Sequence, residues 1–184
     1  KRGLDLQGGI NVILQISVKD ILKGLAENTT DPDFNRALNE ADILQKSSSD
    51  NYIESFFIAF EIVAPDKNLA SPDIFANRTL SDDINFQMTN SDVKPILRTK
   101  IDESIISAFE VLRKRIDQFG VSSPNIQRLG NSGRILVELP GAKDIDRVKK
   151  LLQSTAQLEF WTSEKNQEYF RFLSEANQVL KEIY

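Results

Sequence analysis

The chain has neither cysteine nor histidine. Without cysteine there is no disulfide framework, no thiol nucleophile and no thiolate zinc site. Without histidine the commonest general base near neutral pH and the commonest metal ligand are gone. Positive charge is also in short supply. Lys and Arg number 23 against 27 Asp and Glu, a net charge of -4. That withholds the basic field non-specific nucleic-acid binding needs. Long apolar runs are missing too. The densest, Phe56 to Val63, is broken by Glu61 and falls well short of the ~20 residues of a membrane span. Lys1-Arg2-Gly3 carries no signal-peptide apolar segment, so the chain is expected to be cytosolic or to follow a membrane anchor encoded upstream. Asn-x-Thr triplets at Asn28 and Asn77 matter only in a eukaryotic secreted protein, and chance is the better reading.

What is present is an ordinary globular composition, 40% hydrophobic and 27% charged over 184 residues. A chain of that length buries roughly two-thirds of its unfolded surface.

The apolar pattern predicts a core in two pieces with an insertion between them. Ile10, Val12, Leu14, Ile16 and Val18 alternate with other residues, the period of a strand with one buried face. Gly8-Gly9 just before it predicts a tight turn. A short helix should carry Ile21, Leu22 and Leu25. A second should start near Pro32, with Phe34, Ala37, Leu38, Ala41 and Leu44 on one stripe, and be broken by Ser47-Ser48-Ser49-Asp50. Ile53, Phe56, Phe57, Phe60 and Val63 suit a third, ending before Pro65. Ser71-Pro72 reads as the N-cap and first residue of a short helical piece. The polar stretch 77–91 reads as loop.

The second core piece opens with a helix striped by Ile101, Ile105, Ala108, Phe109, Leu112, Ile116 and Phe119, with Gly120 placed for a left-handed C-terminal cap. Ile126 to Leu129 is a short strand and residues 130–133 a hairpin loop. Arg134 to Leu139 is a strand, stopped by Pro140-Gly141. Asp144 caps a helix carrying Ile145, Val148, Leu151 and Leu152. Ala156, Leu158 and Phe160 alternate as a fourth strand. Phe170, Leu173, Ala176, Leu180 and Ile183 mark a last helix.

The predicted fold class is therefore α+β: a ferredoxin-like split β-α-β-β-α-β two-layer sandwich with a mainly helical insertion between strand 1 and helix 1. Residues 1–18 and 98–162 form the base, 19–97 the insertion and 163–184 the C-terminal helix. Ile105, Leu112 and Leu151 should meet Ile10, Val12, Leu14, Val137 and Leu158 in one core. Gln15, Glu138, Gln157 and Glu159 should face away.

At this point four stretches carry a resemblance. Gly3-Leu4-Asp5-Leu6-Gln7-Gly8-Gly9 resembles the GLDLxGG signature of the SecD family. Arg113-Lys114-Arg115-Ile116-Asp117-Gln118-Phe119-Gly120-Val121, with Pro124, Ile126-Gln127 and Gly130, resembles a second signature. Arg134 to Gly141 resembles RIxVELPG, and Thr155 to Phe160 resembles TAxLEF. The four come in the family's order. Residues 19–97 match none of its patterns.

The resemblance implies the first periplasmic domain of a bacterial inner-membrane protein-export subunit. In the family, SecD works with SecF beside the SecYEG channel and uses the proton-motive force to draw unfolded preprotein across. Its domain has a ferredoxin-like base and a mobile head, and the head would follow Tyr184. The membrane helices that carry the proton path lie outside this chain. The family-signature residues with a structural or coupling role would be Gly3, Asp5, Gly8, Gly9, Arg113, Arg115, Gly120, Pro124, Gln127, Gly130, Pro140 and Gly141. No catalytic residue, metal, cofactor or nucleic-acid partner is implied, and no enzyme activity.

The residues themselves allow plainer readings. Gly8-Gly9 precedes a strand, unlike a phosphate-binding loop, and reads as a turn. Asp5 reads as a strand-leading carboxylate. Arg113, Lys114 and Arg115 occupy successive helical positions and diverge, which suits a solvated face beside Glu110 and Asp117. Asp102-Glu103 and Asp82-Asp83 are adjacent pairs with no sign of convergent acid–base geometry. The third strand lacks the aromatics of an RNA platform. Phe-rich 53–63 is core or, less simply, a groove for unfolded chain, and a sheet edge can accept an added strand. The rival functions are a ferredoxin-like small-ligand sensor or protein-interaction module and, last, a Ser-Lys hydrolase.

Overall fold

The computed structural model describes residues 8–47, 51–118, 123–130 and 133–153. The first strand, β1 (Gly9–Gln15), is shorter than its alternation suggests. The cause is Ser17, whose side chain accepts the Asp20 N–H at 3.2 Å and so caps a helix at once. Helix α1 (Val18–Leu25) then buries Ile21, Leu22 and Leu25.

Helix α2 (Pro32–Ser47) starts where Asp31 accepts the Phe34 N–H at 2.8 Å, with proline at the first helical position, where no N–H is needed. It runs through Ser47, and residues 48–50 lie outside the described set. Helix α3 (Tyr52–Val63) follows. Phe34, Phe56, Phe60 and Phe75 are fully buried at the centre of this helical unit. The rings of Phe34, Phe56 and Phe75 meet edge to face, with centroids 5.7 Å apart for Phe34–Phe56 and for Phe34–Phe75, the arrangement the ring quadrupole favours. Phe-rich 53–63 is therefore core.

Two expectations fail between residues 71 and 91. Ser71-Pro72 does not open a helix. The Ser71 carbonyl instead accepts the N–H groups of Ile74 and Ala76 at 2.9 and 3.1 Å, closing a turn. A 3₁₀ turn, Arg78–Leu80, sits inside the expected loop, capped by Asn77. The loop also ends early, because α4 (Asn90–Gln118) begins there and runs 29 residues. Thr89 and Asp92 make its start: the Asp92 carboxylate accepts the Thr89 N–H at 2.9 Å, and the Thr89 hydroxyl accepts the Asp92 N–H at 3.3 Å. That is a reciprocal cap. The boundary expected at 97/98 falls inside this helix.

Strands β2 (Asn125–Arg128) and β3 (Arg134–Pro140) form a hairpin, and helix α5 (Ile145–Gln153) follows. The sheet order is β1-β3-β2, with antiparallel neighbours. Ile135, Val137 and Leu139 of β3 are buried with Ile10, against Leu112 and Ile116 of α4 and Val148 and Leu152 of α5. The chain is thus α+β, with helices packed on one face of a three-stranded sheet. Phe119, Gly120, the fourth strand at Ala156, Leu158 and Phe160, and the last helix lie outside the described residues, as does the Leu151 side chain.

Two further corrections concern the core. Ile105 is buried in the core of the helical unit and not in that of the sheet, although its Cδ1 lies beside Gly133. Ile145 stands 54% exposed at the first position of α5, before the stripe turns inward. No described helix is long and apolar enough to cross a membrane.

Candidate functional site

Alternating side chains commit β1 and β3 to one pairing register, because a one-residue slip would expose the buried set. That register brings the motif segments together. Gly9 lies opposite Pro140 and Gln15 opposite Arg134. Beyond the Gly9–Pro140 pair, the Gly141 N–H donates to the Gly8 carbonyl at 3.0 Å. The first and third motifs therefore meet at one end of the sheet. Gly8 and Gly141 have φ of 66° and 75°, a region costly for residues with a Cβ. A Cβ at either would touch nothing, so the demand for glycine there is conformational and not steric.

The second motif supplies the opposite flank. Gln127 pairs in register with Leu136. Pro124, half-buried, leads into β2, and Gly130 turns the hairpin at φ 64°. On the open face Asn125 donates to Glu138 at 2.6 Å and Gln127 donates to Asn125 at 3.1 Å. Ile13 stands 60% exposed beside this polar row, opposite Leu136. Arg113 is exposed and Arg115 half-buried on the last turns of α4. Gly3, Asp5 and Gly120 fall outside the described residues.

Among the described residues, the titratable groups with displaced proton affinities lie in the helical unit. Burial pushes the Asp31 carboxyl up, but the Lys67 ammonium and the Phe34 N–H outweigh it and hold Asp31 below its usual range. Asp42 is lowered the same way, burial being outweighed by Lys19 at 2.6 Å and by Tyr52. Burial, with Asp42 nearby, raises the Tyr52 phenol far above its usual range. It stays a donor, reaching the Leu38 carbonyl at 2.9 Å. Asp83 is held by Lys100 at 2.7 Å, and Asp102 and Glu103 are exposed. Among the described residues no group of Asp and Glu stands together as a metal site.

Sequence reasoning missed the contacts that join the two units. Ile16 packs against both cores, and its N–H donates to the Gly133 carbonyl at 2.9 Å. The signal was the closeness of Ser17, an N-cap type, to the end of the strand.

An antiparallel sheet that gathers dispersed motifs, backed by helices on one face, defines a protein of the α+β class. Residues 105–165 match the family model described as "Protein translocase subunit SecDF, P1 domain, N-terminal". The chain is 38% identical over 160 residues to the protein translocase subunit SecD of Rhodothermus marinus, covering 87% of this chain and 25% of that protein. It is 33% identical over 171 residues to SecD of Calditerrivibrio nitroreducens, with 89% and 32% covered. With SecD of Escherichia coli K12 the figures are 30% over 166 residues, 87% and 26%. No solved structure matches. The chain belongs to the SecD family and spans about a quarter to a third of the length of these relatives.

Proposed function

We propose that this chain is the base, with a helical insertion, of the first periplasmic domain of a Sec translocase subunit in the bacterial inner membrane. It assists preprotein export by holding emerging unfolded polypeptide weakly and by changing orientation with the proton-motive force. Its partners are the SecF part of the complex, the SecYEG channel, the preprotein and the membrane, reached through transmembrane helices outside this chain. The base takes the split β-α-β-β-α-β arrangement of a ferredoxin-like sandwich. The chain acts as a binding and coupling module and carries out no covalent chemistry.

The observation that carries this reading is the meeting of the family's motif segments in one sheet, in a chain related to SecD proteins over 87% of its length. Weak binding suits the task, since a tight site would trap its cargo. Coupling then acts as a population shift between orientations with different affinity for the chain being moved.

The test is an export assay in membrane vesicles depleted of the subunit and supplied with the full-length protein. The full-length protein should restore forward movement of a trapped preprotein, and an ionophore should abolish the gain. Val137→Asp, which places a charge in the sheet core, should give no restoration. Restoration that ignores the ionophore would remove the coupling role.

A further inference from the structure

We propose that the helical unit is fixed to the sheet unit as one rigid body, through a junction of Ile16, Gly133 and Ile105 acting together with the unbroken α4. The inference stands apart from the export reading. It concerns how two cores in one chain are held to each other.

Three observations converge. The first is covalent. Only Ile16 and Ser17 separate the end of β1 from the start of α1. The three steps from Gln15 to Val18 reach at most about 11 Å, so this crossing is short. The second crossing is α4 itself. Val93, Leu97, Ile101 and Ile105 are buried in the helical core, and Leu112 and Ile116 in the sheet core. The helix passes from one to the other without interruption. A hinge needs loop or element-terminal residues that absorb large changes in φ and ψ; α4 has none between Ile105 and Leu112, and the two at the first crossing are both held, Ile16 by its hydrogen bond to Gly133 and Ser17 as the cap of α1.

The third observation is the contact between the crossings. Ile16 packs its side chain against both cores and gives its N–H to Gly133 in the β2–β3 hairpin. Gly133 has φ of 69°. A Cβ there would lie 3.6 Å from the Ile16 carbonyl oxygen and 3.7 Å from Ile105 Cδ1. The hairpin turn is thus seated on the exit of β1 and on α4 at once. Two tight crossings and one packed contact between them remove the freedom to swing, because packed contacts shift between discrete arrangements instead of deforming continuously.

The chain has no cysteine, so a pair of introduced ones labels cleanly. Ile62→Cys on α3 and Lys150→Cys on α5, both at exposed positions, would carry nitroxides for a pulsed dipolar distance measurement. The expected result is one narrow distance distribution, broadened at least twofold by Gly133→Val. If that variant loses its far-ultraviolet circular dichroism, Ile16→Ala is read in its place. A broad or two-peaked distribution in the otherwise unsubstituted pair would overturn the proposal. So would a narrow one left unchanged by the junction variants. Thermal unfolding gives an independent reading: one cooperative transition supports the single body, and two separate transitions overturn it.

Discussion

Arg98 grips Glu54 with two parallel hydrogen bonds, Nε to Oε1 at 2.7 Å and Nη2 to Oε2 at 2.9 Å, while its guanidinium lies 5.0 Å from the Phe57 ring centre. One side chain thus ties the first half of α4 to α3 both by charge and by stacking. Both partners are part-exposed, at 43% and 41%, so solvent screens the pair. A double-mutant cycle with Arg98→Ala and Glu54→Ala should give a coupling of at most about 1 kcal/mol. Arg98→Ala should cost up to about 1 kcal/mol more through the lost stacking on Phe57. Chemical denaturation reads both. A coupling well above that range would mean the pair is shielded more than its exposure shows.

Phe56 is a different matter. It is fully buried and touches the rings of Phe34, Phe57, Phe60 and Phe75. Phe56→Ala should destabilise the chain by about 3–5 kcal/mol, the sum of lost transfer energy and an unfilled cavity. Ile62→Ala, on the exposed side of the same helix, should move stability by no more than about 0.5 kcal/mol. Equal costs at the two positions would contradict the assignment of helix faces.

The Lys67 ammonium bridges Asp31 and Asp33, lying 3.2 Å from the latter, and pins the turn after α3 to the start of α2. Its partners raise Lys67 above the usual lysine range, and Asp31 is lowered. A lowered carboxyl lends stability that is present at neutral pH and lost as pH falls through its depressed value. A raised ammonium lends stability that is lost only as pH rises through its elevated value. The stability difference between the native chain and Lys67→Met should therefore be level from about pH 5 to 9 and shrink below about pH 4. Urea denaturation across that series checks it. A difference that grows in acid has the wrong sign for this cluster.

At the sheet end, Gly8→Ala and Gly141→Ala should each cost about 1–2 kcal/mol, the expense of a left-handed backbone with a Cβ. Because the two residues share one hydrogen bond, the double variant should cost less than the sum of the singles. Strictly additive losses would show that the two turns are held separately.

Much of this was legible in the chain. The stripe through Phe34, Ala37, Leu38 and Ala41 and the alternation at Ile135, Val137 and Leu139 are buried as their spacing requires, because burial of one face is what periodicity records. The Asp144 cap, which accepts the Arg147 N–H at 2.9 Å, was also visible. The start of α4 was not. Asn90, Ser91 and Asp92 are typical loop residues, and Pro95 removes a helical donor. The Thr89–Asp92 cap overrides that composition locally. Ile105 illustrates a second limit: its place on a helical stripe is readable, but which of two cores receives it depends on the path of the chain. The motif residues were identifiable one by one, whereas the pairing of Gly8 with Gly141 follows only from the β1–β3 register.

The length of α4 has a mechanical consequence. At roughly 1.5 Å per residue its 29 residues make a rod of about 43 Å. Its last turns are bedded beneath the sheet and its first turns carry the helical unit. If the two units move as one body, a tilt of the sheet by about 10° would sweep the far tip through about 7 Å, so a small rotation at one end would become a stroke at the other.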